Sequence, residues 1–215
     1  SEMCIRDSTT AVKNAKKNSL IVSDLPINSY QTEKDAVTNS LKLIEAGADA
    51  VKLEGGKEVA KIIKSITDSK IPVMGHLGLL PQTAEKYTVQ GKTKEDAIQL
   101  IEDAEIITKS GVFSIVLEMV TNQVTKIITE RSSVPTIGIG SGKDCDGQVL
   151  VVHDMLGLFE KIKPKFAKRY LNLSEEIRNA VKSYVTEVKE QTFPADYNEF
   201  QMDETEYNEL RKEIV

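Results

Sequence analysis

Short apolar runs recur along the chain, and most of them are followed by a segment with helical periodicity. This alternation predicts an α/β fold with a parallel sheet, because two parallel strands need a crossover connection that is usually a helix. Six runs qualify as strands: 18–26, 48–56, 71–79, 112–120, 134–142 and 147–158. Helical patterns follow at 32–46, 57–69, 93–111 and 122–132, the third of them with Thr93 as its expected N-cap.

Two architectures fit this alternation, a doubly wound sheet and a (β/α)₈ TIM barrel. The barrel is favoured because the first predicted βα turn lacks a GxGxxG sequence and because polar residues stand at nearly every predicted strand end. In a barrel those ends meet at one mouth, where catalytic groups come from several strands. A complete barrel has eight strands and about 250 residues. We therefore predict a barrel whose first two strands are missing from an N-terminally truncated chain.

Three segments are expected along the chain. Residues 1–10 show no periodicity and are interpreted as a foreign or unstructured start. Residues 11–172 form the partial barrel. Residues 173–215 hold a C-terminal helix at 174–191, with Ser174 as its expected N-cap. The acidic tail that follows offers few apolar residues, so we expect an arm or a partly disordered segment.

The composition excludes several functional classes. The chain has 215 residues, of which 40% are hydrophobic and 28% are charged, as in globular proteins. It carries 28 Lys and Arg against 33 Asp and Glu, with no dense basic run, so nucleic acid is not an expected partner. The apolar runs are too short to span a bilayer. Two cysteines, Cys4 and Cys145, fit a reducing compartment, and we expect a cytoplasmic protein.

The stretch AVKLEGG (50–56) gives one predicted strand a charged face. Lys52 and Glu54 point the same way because side chains two positions apart lie on one side of a strand. One interpretation is an exposed ion pair, which contributes about 0–1 kcal/mol. The other is a pocket in which the ammonium group binds an anionic substrate and the carboxylate binds a divalent ion. The pocket is favoured because the surrounding sheet is buried.

Three further polar residues stand at or near predicted strand ends. Asp24, in SDLP, is either a turn residue or an oxygen ligand for Mg²⁺. His76, in GHLGL, is either a satisfied core residue or part of a site, and no HxH or HExxH accompanies it. Glu118 interrupts an apolar strand, where an isolated charge is costly, so it needs a partner or a role as a general base. The glycine-rich GIGSG (138–142) is a tight loop or an anion-binding nest.

Taken together and in order, these motifs resemble one known family. The stretches are SDLPxxSYQ (23–31), VKLEGG (51–56), PVMGHLGLLPQ (72–82), IVLEMV (115–120) and IGIGSGKDCDGQVLVVHDMLGL (137–158). They resemble the 3-methyl-2-oxobutanoate (ketopantoate) hydroxymethyltransferase family, as does FPADYNEF near the C-terminus. The resemblance covers roughly residues 11–200, and the length of two of its motifs makes it specific.

The resemblance implies a (β/α)₈ barrel that moves a hydroxymethyl group from 5,10-methylenetetrahydrofolate to 3-methyl-2-oxobutanoate through an enolate stabilised by Mg²⁺. It implies that Asp24 binds both the metal and the oxo acid, and that Glu54 is a further acidic group at the metal. Lys52 matches the lysine that binds the substrate carboxylate. Glu118 matches the proton acceptor, and His76 matches an active-site histidine whose role is left open. A homo-oligomer, commonly a decamer, is also implied.

The chain departs from the family pattern at one motif, and two other readings stay open. The family carries an Asp-Ser pair in a GDSLG-like motif on its second strand, whereas Asp7-Ser8 follows no strand here. One alternative is another Mg²⁺-dependent 2-oxo acid enzyme of the phosphoenolpyruvate mutase and isocitrate lyase type, although no KxCGH-like motif is present. The other is a non-catalytic truncated homologue, which retention of Asp24, Lys52, Glu54 and Glu118 argues against.

Overall fold

A computed structural model describes residues 2–161 and 163–214 of the chain. Ser1 and Val215, the outer ends of the first and last predicted segments, lie outside the described residues, as does Ile162 of the predicted partial barrel. The chain divides into two compact units. The larger runs to Leu150 and includes Lys165–Ala167; the smaller consists of Val151–Pro164 and the residues from Lys168 onward. The predicted boundary between residues 172 and 173 falls inside the smaller unit.

The larger unit is built on a parallel sheet whose spatial order follows the chain order. Its six strands, counted over the described residues, are β1 Val22–Asp24, β2 Ala50–Glu54, β3 Val73–Gly78, β4 Ser114–Glu118, β5 Thr136–Ile139 and β6 Gly147–Gln148. Every neighbouring pair is parallel. The prediction of an α/β fold with a parallel sheet is confirmed.

Helices connect these strands and continue into the smaller unit. They are α1 Glu2–Ala15, α2 Glu33–Glu45, α3 Ala60–Asp68, α4 Lys94–Lys109, α5 Asn122–Arg131, α6 Val152–Met155, α7 Leu173–Lys189 and α8 Glu204–Ile214, with short 3₁₀ turns at Lys57–Val59 and Asp196–Asn198. Thr32 and Thr93 cap α2 and α4, each accepting a hydrogen bond from a backbone N–H three residues later. The expected N-cap at Thr93 is confirmed, since a threonine oxygen satisfies one of the free donors at a helix start.

The two faces of the sheet have different surroundings. One face packs against α2 to α5 and forms the main core, to which Val51, Leu53, Val73, Ile115 and Leu117 contribute. The opposite face holds a smaller apolar cluster around Met74, Val116 and Ile139. This division follows from the period of two along each strand, which sends alternate side chains to opposite faces. Polar side chains on the same face as Met74 and Val116 therefore point away from α2 to α5.

The structure differs from the sequence-based expectations at four places. Only Gly147–Gln148 of the predicted strand 147–158 is a strand; the rest leaves the sheet, and Val152–Met155 is helical. Helix α7 begins at Leu173 with Asn172 as its N-cap, so the expectation for Ser174 is wrong. The tail contains helix α8.

The fourth difference concerns the N-terminal segment, which was interpreted as foreign or unstructured. It contains helix α1, and its Ile5 side chain packs against the main core. The buried hydroxyl groups of Thr9 and Ser23 lie 2.7 Å apart and share a hydrogen bond that ties α1 to β1. Whether residues 1–10 are foreign to the protein stays a prediction. In the described part of the chain, no helix has the length and apolar character that crossing a membrane requires.

Candidate active site on the face of the sheet opposite the helices

The five side chains predicted to form a site lie on four neighbouring strands and share one face. In the parallel register, Asp24 is paired with Lys52, Glu54 with His76, and Gly78 with Glu118. Paired residues of adjacent strands point to the same side, and residues two apart do so along each strand. The shared face is that of Met74 and Val116, away from the helices. The fold therefore brings together residues that are 94 positions apart in the chain, from 24 to 118.

Lys52 is the centre of the first group of contacts. Its Nζ atom lies 3.0 Å from Asp24 Oδ2 and 3.3 Å from His76 Nδ1. The Lys52 side chain is 15% exposed, whereas that of Asp24 is 47% exposed. An ion pair with one partner in solvent is weak, because water competes for both charges. Asp24 therefore leaves the ammonium group free to change partners.

His76 links this group to Glu118. The imidazole is almost fully buried, and its Nε2 atom lies 3.0 Å from Leu79 O and 3.4 Å from Glu118 Oε2. Because an ammonium group can only donate, Nδ1 is assigned as the acceptor from Lys52 and the ring proton is assigned to Nε2. Nε2–H then donates to Leu79 O, and Glu118 Oε2 lies within contact distance of the same nitrogen. The result is a continuous chain of contacts, Asp24–Lys52–His76–Glu118, across β1 to β4.

Glu118 is held by its strand end as well as by His76. Its side chain is 14% exposed, and its backbone oxygen accepts a hydrogen bond of 2.8 Å from Leu79 N. A close approach of backbones makes this possible: Gly78 has φ +95°, and a Cβ atom at Gly78 would lie 2.2 Å from Glu118 O. The partner that a carboxylate in an apolar strand requires is thus His76.

Glu54 is buried, with 6% exposure, and is held from two sides. The backbone N–H of Gln82 donates to Glu54 Oε2 at 3.2 Å, and Tyr30 Oη donates to Glu54 O at 3.4 Å. Burial, and next the charge of Glu54, raise the pKa of Tyr30 above its usual value. Sequence reasoning missed Gln82 and Tyr30, although both lie inside the motifs SDLPxxSYQ and PVMGHLGLLPQ.

The predicted metal ligands Asp24 and Glu54 lie on the same face of adjacent strands. Across the described residues, there is no group of three or more His, Cys, Asp or Glu side chains that could hold a metal ion. This excludes an all-protein cage there, but Mg²⁺ usually takes only one or two carboxylates and fills its other positions with water and substrate oxygens. The two carboxylates are hard oxygen donors of the type that Mg²⁺ prefers, so the residues present fit that ion.

The GIGSG loop supports the end of β4. Ser141 Oγ donates to Leu117 O at 2.7 Å and accepts from Val120 N at 3.0 Å, on either side of Glu118 in the chain. Gly140 packs against the ring of Phe166, so that an added Cβ atom would lie 2.8 Å from it. These contacts favour the tight-loop interpretation of the motif over an anion-binding nest.

Known proteins of one family match nearly the whole chain. A sequence model of the ketopantoate hydroxymethyltransferase family matches residues 2–196. The 3-methyl-2-oxobutanoate hydroxymethyltransferase of Nitrosopumilus maritimus (strain SCM1) is 56% identical over 217 aligned residues, which cover 99% of this chain and 77% of that protein. That of Cenarchaeum symbiosum (strain A) is 52% identical and covers 97% of this chain and 80% of its own length.

Solved structures share the fold at much lower identity. A phosphoenolpyruvate phosphomutase from Streptomyces platensis subsp. rosaceus superposes with a TM-score of 0.55 at 12% identity, covering 100% of this chain and 80% of that chain. A phosphonopyruvate hydrolase superposes with a TM-score of 0.54 at 11% identity, covering 99% and 75%. At this identity the likeness establishes the α/β fold alone. The sequence matches are far stronger and name one enzyme family: the chain belongs to the ketopantoate hydroxymethyltransferase family.

Proposed function

We propose that this chain transfers a hydroxymethyl group from 5,10-methylenetetrahydrofolate to 3-methyl-2-oxobutanoate, giving 2-dehydropantoate in pantothenate biosynthesis. Family membership supports the reaction class. The observation that carries the proposal is the chain of contacts Asp24–Lys52–His76–Glu118, which links a carboxylate base to an ammonium group across four strands. An oxo acid with a removable C3 proton needs both groups.

Glu118 is proposed as the base that accepts the C3 proton of the oxo acid. His76 Nε2 lies 3.4 Å from Glu118 Oε2, a contact that supports an oriented carboxylate with its other oxygen available to the substrate. Burial of both side chains keeps water away from the acceptor, and an oriented base contributes about 10²–10⁴-fold to the rate. The C3 carbon then forms its bond to the one-carbon unit, tetrahydrofolate leaves, and one water supplies the hydroxyl oxygen.

Lys52 is proposed to bind the carboxylate of the oxo acid. Its present partner Asp24 is half-exposed, so a substrate carboxylate can replace that contact without leaving a buried charge unpaired. His76 Nδ1 holds the ammonium group from the other side. A substrate bound in this way lies on the face that carries Glu118, which orients C3 relative to the base.

Asp24 and Glu54 are proposed to hold a Mg²⁺ ion beside Lys52. Bound there, Mg²⁺ supplies Lewis acidity toward the carbonyl and carboxylate oxygens of the oxo acid, which makes the C3 proton easier to remove. Both carboxylates lie on the same face as Lys52 and Glu118. Asp24 would then contact the ion instead of Lys52, which would leave the Lys52 ammonium group for the substrate carboxylate.

Three further properties of the whole protein are proposed, the first two from the family resemblance and the third from composition and small-molecule chemistry. The complete fold is an eight-stranded (β/α)₈ barrel of which β1–β6 form part. The assembly is a homo-oligomer, commonly a decamer. The protein acts in the cytoplasm on small molecules, with no nucleic acid or membrane partner.

The test is an assay of the purified chain with 3-methyl-2-oxobutanoate, 5,10-methylenetetrahydrofolate and Mg²⁺, with 2-dehydropantoate detected by mass spectrometry. Product formation that stops when either substrate or Mg²⁺ is omitted is the expected result. Absence of turnover, together with activity on a phosphonate or isocitrate, would favour a phosphoenolpyruvate mutase or isocitrate lyase type of reaction. Binding of the oxo acid that is unchanged in Asp24→Ala and Glu54→Ala would favour a non-catalytic homologue.

A further inference from the structure

We propose that Gln82 is a positioning residue that sets the distance between the Glu54 carboxylate and the strand end that carries Asp24. The inference rests on the proposed function, since it concerns the two carboxylates assigned there to the metal. Gln82 lies four residues after β3, in the loop that follows the strand of His76. Its own side chain carries no charge and takes no part in the proton transfer.

Gln82 makes two hydrogen bonds that go to two different strand ends. Its backbone N–H donates to Glu54 Oε2 at 3.2 Å, at the end of β2. Its side-chain amide Nε2 donates to Leu25 O, also at 3.2 Å, one residue beyond the end of β1. One residue of the β3 loop therefore connects the ends of β1 and β2.

The Leu25 contact matters because Leu25 is the residue after Asp24. Leu25 is fully buried, and its N–H donates to Lys52 O at 2.8 Å, which continues the β1–β2 ladder by one step. The amide of Gln82 holds the other side of the same peptide segment. Asp24 directly precedes Leu25 in the chain. Hydrogen bonds at both the N–H and the carbonyl of Leu25 therefore restrain the backbone next to the Asp24 carboxylate.

The far end of the loop that follows Asp24 is anchored independently of Gln82. Asn39, on α2, donates from Nδ2 to Ser29 O at 2.8 Å, and Tyr30 Oη contacts Glu54 O. Loss of the Gln82 amide would therefore loosen the start of that loop, next to Asp24, and leave its end in place. Groups that hydrogen-bond the ligands of a metal commonly change metal affinity by about 10–100-fold when they are removed; the Gln82 amide bonds the residue next to Asp24, so the lower end of that range is expected.

The test compares Gln82→Met with Gln148→Met in the full chain. Methionine keeps the length of the side chain and removes the amide, while the backbone N–H to Glu54 remains. Gln148 is the matched control because its Nε2 also donates to a backbone carbonyl, Gly142 O at 3.0 Å. Gln148 lies on β6, at the edge of the sheet opposite β1. Mg²⁺ and oxo acid binding is measured by calorimetry, and hydrogen exchange is followed in a peptide spanning residues 22–32.

Gln82→Met is expected to weaken the joint binding of Mg²⁺ and oxo acid about tenfold and to speed exchange of the Leu25 amide, with an unchanged KM for the folate. Gln148→Met is expected to change none of these. Parental affinity or parental exchange in Gln82→Met would overturn the inference, as would an equal effect of Gln148→Met. If the unaltered chain binds no oxo acid, the proposed function fails, and unchanged exchange in Gln82→Met would still refute the positioning role by itself.

Discussion

Lys52 and Asp24 are register partners on β2 and β1, and their side chains form an ion pair with 3.0 Å between Nζ and Oδ2. The two partners differ in exposure, since Lys52 is mostly buried while Asp24 reaches solvent. Lys52 also contacts His76 Nδ1, so the ammonium group keeps a polar neighbour when Asp24 moves away. This arrangement supports the proposal that Lys52 exchanges the carboxylate of Asp24 for that of a substrate.

Replacing Lys52 by methionine is expected to raise the KM for 3-methyl-2-oxobutanoate by about 10–100-fold. The variant removes a hydrogen bond to a charged group, which contributes about 1.5–3 kcal/mol, while keeping the apolar part of the side chain. Steady-state kinetics with varied oxo acid checks this. Lys126→Met is the control, because Lys126 is an exposed lysine on α5 that pairs only loosely with Glu130. Equal KM values for the two variants would contradict the role of Lys52.

Asp24→Asn and Glu54→Gln are each expected to raise the half-saturating Mg²⁺ concentration at least about tenfold, because each removes an anionic oxygen donor. In the Glu54→Gln variant the new amide oxygen can still accept from the backbone N–H of Gln82, so the fold around the site is preserved. Titration calorimetry with Mg²⁺ in the presence of the oxo acid gives the affinity. Glu130→Gln, at an exposed position on α5, is the control and is expected to leave the affinity unchanged.

His76→Phe is expected to lower the free energy of unfolding by about 1–3 kcal/mol, because it leaves the ammonium group of Lys52 and the carboxylate of Glu118 without their shared partner. His76→Gln keeps an N–H donor for Leu79 O and Glu118, and part of that loss is expected to be recovered. Urea unfolding followed by circular dichroism measures both variants. Equal stability of His76→Phe and the parent would show that the contacts of His76 contribute nothing to the fold.

Asp49 makes stability depend on pH at the start of β1. Its carboxylate accepts from Lys16 and, at 2.8 Å, from Ile21 N. The Lys16 hydrogen bond, followed by that of the Ile21 backbone, holds the pKa of Asp49 below its ordinary value of 3.8. Because the pKa of Asp49 is lower in the folded state, its carboxylate contributes stability at pH values above its ordinary pKa. That stability is lost as the pH falls through the folded-state pKa.

Asp49→Asn is therefore expected to lower the urea midpoint at neutral pH, with a difference from the parent that narrows below about pH 4. Unfolding curves at several pH values between about 3 and 7 check this dependence. In a Lys16→Met background the same substitution is expected to have a smaller effect, because the larger cause of the shift is gone. A difference that stays constant across the pH range would contradict the account.

Much of the sheet could be predicted from local sequence patterns. The charged face of AVKLEGG was correctly assigned, because alternation at period two depends only on the geometry of a strand. The helix start at Thr93 could also be predicted, because a capping side chain and the backbone N–H that it accepts from lie within four residues of each other. The end of β6 could not be read in this way: Val149 N still donates to Gly138 O of β5, but the paired register ends at Gln148 and the apolar residues that follow enter a helix at Val152–Met155. Helix α1 was missed because the face that it buries is short and partly polar, with Ile5 packed against the core and Thr9 bonded to Ser23.

The contacts inside the candidate site were only partly predictable. The sequence suggests that Glu118 needs a partner, but that partner is His76, 42 positions earlier, and the pairing depends on the register of β3 and β4. Gln82 was missed because a neutral glutamine in a loop carries no pattern of its own. Its importance comes from a backbone N–H and an amide that reach two other strand ends, which is a property of the fold.

Hydrogen–deuterium exchange at C3 of 3-methyl-2-oxobutanoate tests the central claim most directly. In D₂O with Mg²⁺ and no folate, proton NMR is expected to show loss of the C3 signal when the chain is present, because a base on the protein removes that proton. In Glu118→Gln, which keeps the shape of the side chain and loses the base, we predict exchange about 10²–10⁴-fold slower with oxo acid still bound. Exchange at the parental rate in Glu118→Gln would contradict the account.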